Sequence, residues 1–339
     1  MSAHCHDAEE AGAKLIEYLE NDPFAALARP RPRWISGILG GERPSRYSES
    51  PVLWNALFKR LGLDAVFLAF DLPRVQDLPN FLRTFMDEPG ALDLTITNPY
   101  KAPAWDTLSR LTLPTGLKLE VSVRVEALGC LNHLIVDRGG GRLIAENTDG
   151  IGMCRALEDV LGSPKAGAST LGGKSPLAGR RILLAGSGGA AASIGWELVR
   201  MGARLTIVNI VEADARLLAA RLAPYAESPI EVGGWDLIPA AARESEIIVS
   251  AISAGTPLDA EGIARLPSET VFADARYGAA AEFAQAAAEA GRLSSGRVVD
   301  GRAMLFGQFA AAVTIACPIA GAAKGVVEQV VCEMKRKYC

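Results

Sequence analysis

The sequence predicts an α/β protein of two domains, the first an N-terminal α/β domain and the second a Rossmann-type, doubly wound parallel sheet. Three observations lead there. Strand-length apolar runs alternate with helical patterns from residue 34 onward. Residues 181–209 read as strand, glycine-rich turn, helix, strand. The chain of 339 residues is also long enough to bury two hydrophobic cores.

Bulk properties exclude several classes. Apolar residues make up 49% and charged residues 22%, as in ordinary soluble globular proteins. The net charge of −4, with basic residues spread along the chain, leaves no electrostatic footprint for nucleic acid. No unbroken apolar run reaches membrane-spanning length and the N-terminus lacks a signal-peptide pattern, so a cytoplasmic protein without membrane partners is expected. The six cysteines form no C-x-x-C pair and read as reduced thiols, with no metal site expected; His4-Cys5-His6 lies in a polar leader. Of the 3 histidines only His133 lies in the body of the chain, so a Ser-His-Asp or Cys-His mechanism would have to run through it.

Taken in order, residues 1–30 form an extension with one expected helix at 9–20, ahead of Pro30-Arg31-Pro32-Arg33. Strands are expected at 34–39, 65–70 and 91–96, with helices at 51–61 and 78–86, and Pro99 fits the first turn of another helix. This alternation implies a parallel sheet with helices on its faces. The runs 131–136 and 142–145 flank an Asp137-Arg138-Gly139-Gly140-Gly141 turn and predict a hairpin. A helix follows at 149–161, and residues 163–179, rich in Gly, Ser, Pro and Lys, read as a surface loop or linker. Beyond it come strand 182–185, helix 190–201, strand 205–208, helix 213–222, strands 246–252 and 271–275, and helix 279–290. Two apolar-striped helices at 303–316 and 321–337 end the chain and are expected to pack back on the first domain. The expected division is 1–30, extension; 31–148, substrate-binding and catalytic domain; 149–302, nucleotide domain; and 303–339, closing helices.

Gly186-Ser187-Gly188-Gly189-Ala190 sits between a strand and a helix, where glycines let the backbone approach a pyrophosphate held at the helix N-terminus. Its spacing departs from G-x-G-x-x-G, so a glycine-lined turn without ligand is the competing reading.

Four separated pieces, in order, resemble the shikimate and quinate dehydrogenase family. They are Tyr47-Ser48-Glu49-Ser50-Pro51, with Asn55 following; Thr95-Ile96-Thr97-Asn98-Pro99-Tyr100-Lys101; Gly129-Cys130-Leu131-Asn132 with Glu146-Asn147-Thr148-Asp149-Gly150; and Asp274-Ala275-Arg276-Tyr277 with the run 301–308. The resemblance covers about residues 34–320. It implies Lys101 and Asp149 as the catalytic pair, and Ser48, Ser50, Thr97, Asn132, Tyr277 and Gln308 as substrate-binding residues. The cofactor-binding set it implies is Gly186, Ser187, Gly188, Gly189, Ala190, Asn209, Glu212, Asp214, Ala251 and Met304.

The residues themselves allow those roles beside plainer ones. Lys101 near a helix start has its ammonium disfavoured by the dipole and by burial, which suits proton exchange with an alcohol; apart from the family pattern, it reads as a surface lysine. Asp149 at a helix start reads equally as an N-cap. Ser48 and Ser50, two apart on an extended segment, would present both hydroxyls to one side for a substrate carboxylate, or else cap the helix at Pro51. Gln308 could be a polar interruption of an apolar helix, and Tyr277 and His133 could be packed residues.

The chain departs from the family at Tyr47, where histidine is usual, at His133, where threonine is usual, and near Thr95, where asparagine is usual. NADP-using members carry an Asn-Arg-Thr run with a second arginine three residues on; here the run is Asn209-Ile210-Val211-Glu212-Ala213-Asp214, which favours NAD over NADP. The expected protein is an NAD-dependent oxidoreductase, with NADP possible as cofactor, that acts at a ring hydroxyl of shikimate, quinate or a related cyclic acid bound between the domains, as a monomer or homodimer with a small-molecule substrate. The alternatives are a dehydrogenase of the same fold for aminoshikimate or another hydroxy acid, a methylene-tetrahydrofolate dehydrogenase architecture, and a catalytically idle dinucleotide- or metabolite-binding regulator.

Overall fold

Alternating apolar runs and amphipathic stretches pair into two separate sheets. The computed structural model describes residues 32–162, 175–293 and 296–338; the expected helix at 9–20, His4-Cys5-His6 and residues 163–174 of the linker lie outside the described residues. The described chain divides into two compact units, one running to Thr148 and taking up Phe309–Tyr338, the other Asp149–Gln308.

The first unit contains β1 (Trp34–Gly40), α1 (Pro44–Tyr47), α2 (Ser50–Leu61), β2 (Ala65–Asp71), α3 (Leu78–Asp87), β3 (Ala91–Ile96), α4 (Lys101–Leu108), β4 (Lys118–Val121), α5 (Val123–Leu128), β5 (His133–Asp137) and β6 (Arg142–Glu146). Its six strands lie in the order β2-β1-β3-β5-β6-β4. The sheet is mixed and not wholly parallel as expected: β1 runs parallel to β2 and β3, but β5 is antiparallel to both β3 and β6. The 137–141 turn causes the β5–β6 reversal. The Asp137 carboxylate accepts the Gly140 N–H at 2.8 Å and an Arg142 guanidinium N–H at 2.7 Å, and Gly141 takes φ 66°.

One face of this sheet buries Ile35, Leu39, Phe70, Leu94, Ile96 and Leu134 in a continuous apolar cluster with Phe81 and Phe85 of α3. Trp54 of α2 stacks on Phe67 at 5.1 Å and meets Phe309 edge-on at 5.5 Å. The Asn55 side chain bonds both the N–H and the carbonyl of Phe67, each at 2.9 Å, and so ties α2 to β2. In this unit three elements, α1, β4 and α5, have no counterpart in the sequence reading, because runs of 4 to 6 residues carry too little periodicity. Pro99 does not enter a helix. It lies in the turn closed by Tyr100 N–H to the Thr97 carbonyl at 2.9 Å, and α4 begins at Lys101.

The second unit contains α6 (Asp149–Val160), β7 (Arg181–Ala185), α7 (Gly189–Arg200), β8 (Arg204–Val208), α8 (Glu212–Leu222), β9 (Glu231–Gly233), α9 (Ile238–Glu244), β10 (Ile247–Ser250), α10 (Ala260–Ala264), β11 (Val271–Asp274), α11 (Glu282–Glu289) and β12 (Val298–Val299). All six strands are parallel, in the order β12-β11-β10-β7-β8-β9. That is the doubly wound arrangement with its switch point between β7 and β10. The last helices are α12 (Gly301–Ile319) and α13 (Lys324–Tyr338), and the division between units falls within α12. Among the described residues α12 is the one helix long and apolar enough to cross a membrane, and 56% of its apolar window is buried within the fold. Ala312, Val313, Ala316 and Cys317 on it are fully buried, as in a core helix.

Helices α6 and α7 touch backbone to side chain. The Gly150 N–H donates to Ser193 Oγ at 2.8 Å, and a Cβ on Gly150 would stand 2.1 Å from the Ser193 carbonyl oxygen. Gly150→Ala is therefore expected to destabilise the protein by about 1–3 kcal/mol through overpacking. The measurement is the midpoint of urea unfolding, and an unchanged midpoint would contradict this packing.

Candidate active site

In the first unit the expected site residues gather at the carboxyl ends of β1 and β3. Thr97 N–H bonds the Leu39 carbonyl at 2.9 Å and Gly41 N–H bonds the Asn98 carbonyl at 3.0 Å, so the two loops leaving these strands are laced together. The approach leaves no room for side chains: a Cβ on Gly40 would lie 2.6 Å from Thr97 Cγ2, and one on Gly41 2.7 Å from Pro99 Cδ. The Tyr100 hydroxyl, buried beneath, donates to the Leu72 carbonyl at 2.5 Å. Lys101 is half-buried as the first residue of α4, at the positive end of the helix dipole. Its carbonyl accepts the Leu131 N–H at 3.1 Å, which joins this helix start to the segment carrying Asn132.

Ser48 and Ser50 flank the start of α2, and the segment is not extended as the alternation argument assumed. Ser48 ends α1, Glu49 takes φ −84° and ψ −7°, and Ser50 is already helical, because Pro51 is accommodated in the first turn. The two are linked directly, with Ser50 N–H donating to Ser48 Oγ at 3.2 Å. Ser50 is buried and Ser48 half-buried. Tyr47, next to this pair, has its hydroxyl pKa raised by burial, although its ring is partly exposed; a hydrogen bond with Thr97 works the other way, and Glu42 and Asp71 add to the rise. Asp71 is itself held by the Ser45 N–H at 3.0 Å and hydroxyl at 2.6 Å.

Asn132 is buried and its amide is engaged within the unit. Its Oδ1 accepts the Thr148 N–H at 2.8 Å and its Nδ2 donates to Thr148 Oγ1 at 3.2 Å. Asn147 Nδ2 donates to the Cys130 carbonyl at 3.2 Å. His133 is packed rather than exposed. Its Nδ1 bonds Asp93 Oδ1 at 3.0 Å, with the two side chains 2% and 0% exposed. Asp93 was not singled out from sequence, and its one signal was a lone carboxylate inside the apolar run 91–96.

In the second unit Asp149 is buried as the first residue of α6. Gly186 follows β7 with φ 116°, and a Cβ there would stand 2.6 Å from the Ala251 carbonyl oxygen, so glycine is required at the switch point. Gly188, by contrast, has open space where a Cβ would be. It caps α7 with extended φ and ψ, and no side chain caps this 12-residue helix. Ser187, Gly188, Gly189 and Ala190 thus offer a helix N-terminus accessible to an anion, which fits a dinucleotide pyrophosphate. Asn209 follows β8, its Nδ2 donating to the Val211 carbonyl at 3.1 Å. Glu212 opens α8 in an ion pair with Arg216, and Asp214 is exposed in the same first turn. Ile210 beside them is 75% exposed.

Tyr277 is half-buried after β11. Asp274, which precedes it, accepts the Phe283 N–H at 2.9 Å and an Arg276 guanidinium N–H at 3.3 Å. Met304 is buried and Gln308 half-buried on α12, whose backbone lies against Gly152 of α6: a Cβ on Gly152 would stand 2.3 Å from the Met304 carbonyl oxygen. Among the described residues no cluster of three potential metal ligands occurs.

Comparison with known proteins finds related sequences and structures. Residues 41–115 match the family model described as the shikimate dehydrogenase substrate binding domain, a span that holds Ser48, Ser50, Thr97 and Lys101. The chain is 33% identical over 260 residues to the shikimate dehydrogenase (NADP(+)) of Symbiobacterium thermophilum, covering 73% of this chain and 77% of that protein. Among solved structures, the shikimate 5-dehydrogenase of Listeria monocytogenes in complex with shikimate and NAD superposes with a TM-score of 0.65 at 20% identity, over 93% of this chain and 99% of that one. The ligand-free 5-ketofructose reductase of Gluconobacter sp. strain CHM43 gives 0.63 at 22% identity, over 89% and 98%. On the extent and identity of the matched sequence, the chain belongs to the shikimate dehydrogenase family.

Proposed function

We propose that the chain catalyses reversible hydride transfer between a nicotinamide cofactor and a ring hydroxyl of shikimate, quinate or a related hydroxylated cyclic acid. The observation that carries this reading is Lys101, half-buried at the head of α4 inside the matched span 41–115. When bound, the dinucleotide supplies the hydride acceptor or donor. Lys101, as the neutral amine, takes the hydroxyl proton as the carbinol carbon is oxidised and returns it in reverse. Asp149 accepts a hydrogen bond from the same or the adjacent hydroxyl. The Ser48 and Ser50 hydroxyls hold the substrate carboxylate, and Thr97, Asn132, Tyr277 and Gln308 supply the mixed donors and acceptors a polyhydroxylated ring needs. The uncapped start of α7 receives the pyrophosphate, and Ala251 and Met304 complete the cofactor set. Tyr47, Thr95 and His133 depart from the family pattern, which favours as second reading a dehydrogenase for a different hydroxylated substrate.

Cofactor choice turns on the start of α8. Its first turn presents Asp214, and the arginine there, Arg216, is already paired with Glu212. A carboxylate at this place repels a 2′-phosphate and accepts a bond from a free ribose hydroxyl, so NAD is the cofactor we infer.

Two measurements test this reading. Lys101→Ala is expected to lower kcat by at least about 100-fold with a smaller effect on substrate binding, in line with lost proton transfer; near-normal kcat would refute the role. In a panel of shikimate, quinate, aminoshikimate and 5-ketofructose assayed with both cofactors, NAD is expected to show a Michaelis constant about tenfold or more below that of NADP, the scale of one charge-assisted contact. A lower constant for NADP would refute the assignment.

A further inference from the structure

Strand β3 alternates Asp93 and Thr95 onto the sheet face opposite the apolar cluster, and Thr97 follows just past its end. Asp93 is fully buried, whereas Thr95 and Thr97 are half-buried, so the row of polar groups leads from the interior to the open carboxyl end of the sheet. Register places Ser36 of β1 beside Asp93 and His133 of β5 beside Thr95 on the same face. Ser36 Oγ is buried there with no hydrogen-bond partner among the described residues. Cys317 of α12 is fully buried, its thiol pKa pushed up to about 12 by burial and by the Asp93 charge.

A polar row inside a sheet core is costly unless its members are paired, and the pairing here has a direction. Both Asp93 oxygens accept from His133 Nδ1, at 3.0 and 3.2 Å, so that nitrogen carries a proton. Thr95 Oγ1 lies 3.4 Å from Asp93 Oδ2. A carboxylate only accepts, so the Thr95 hydroxyl proton is turned toward Asp93 and its lone pairs face the other way.

We propose that Thr95 is a specificity-determining residue that accepts a hydrogen bond from a hydroxyl or ammonium group on the substrate ring, and that the Asp93–His133 pair acts as a positioning device that holds it as an acceptor. The inference rests on the reading of the carboxyl end of β3 as the substrate site. It explains why a chain with threonine at position 95 also keeps a buried carboxylate and imidazole two residues and one strand away. Reversing the direction of the Thr95 hydroxyl should change which ring substituent is preferred.

The test compares kcat and KM for shikimate, for aminoshikimate and for analogues in which one ring hydroxyl at a time is replaced by hydrogen, in the wild type and in Thr95→Val, Thr95→Ser and Asp93→Asn. At one ring position the wild type should prefer the hydroxyl by about three- to tenfold in kcat/KM, the range of a single neutral hydrogen bond. Thr95→Val should erase that preference mainly through KM, and Thr95→Ser should retain it. Asp93→Asn should keep the preference for the hydroxyl but lower kcat/KM for aminoshikimate relative to shikimate, because an amide can donate to Thr95 and turn its proton outward, where a hydroxyl can accept it and an ammonium cannot. An intact preference in Thr95→Val, or a loss spread equally over all ring positions, would overturn the proposal while leaving the functional reading standing. Absence of wild-type turnover with every ring acid would overturn both.

Discussion

The exchange of hydrogen bonds between the Asn132 amide and Thr148 is the constraint on which the first unit's site depends. It uses the acceptor and one donor of the amide, at 2.8 and 3.2 Å, with both residues fully buried. Backbone bonds extend the stitch, from Ile96 N–H to the Asn132 carbonyl at 2.7 Å and from Asn132 N–H to the Glu146 carbonyl at 3.0 Å. Buried amides left unsatisfied cost about 1–3 kcal/mol each, so only a side chain with both a donor and an acceptor suits this place. The strand carrying Thr95 and Thr97 is thereby tied to the segment that hands the chain to α6, whose first residue is Asp149. An isosteric aspartate would lose the donor and a leucine would lose both groups.

Glycines serve the two units in different ways. Gly40 and Gly41 allow loop to meet loop, so that Thr97 and the turn before Lys101 sit against the end of β1. Gly186 is demanded by its positive φ and by the Ala251 carbonyl, whereas Gly188 faces open space and is available to a ligand. Within one short run, then, one glycine shapes the turn and the next leaves room above the start of α7. That distinction follows from contact distances and is absent from the spacing of the motif.

Much of this was legible in the sequence, because long elements declare themselves by periodicity. Helix 51–61 and the strands at 34–39, 65–70 and 91–96 appear within a residue or so of their expected ends. The resemblance to the shikimate and quinate dehydrogenases likewise rested on motifs that the fold places at strand and helix ends. What could not be read was long-range partnership. His133 was expected as a packed residue, but the carboxylate that packs it lies 40 residues earlier, in a run whose other members are mostly apolar. The β5–β6 hairpin was expected and is present, but the antiparallel pairing of β5 with β3 was missed because helix-spaced strands imply parallel pairing. Ser48 and Ser50 were read as an extended pair because Pro51 marks a helix start without fixing that Ser50 already belongs to it.

The central claim is that Lys101 handles a proton and the serines handle charge. A crystal structure with NAD and a ring hydroxy acid bound tests it most directly. The ring carboxylate should accept hydrogen bonds from the Ser48 and Ser50 hydroxyls, and a ring hydroxyl should lie within about 3 Å of Lys101 Nζ. The reverse orientation, with the carboxylate paired to Lys101 and the hydroxyls on the serines, would make the lysine an anchoring cation and contradict the account.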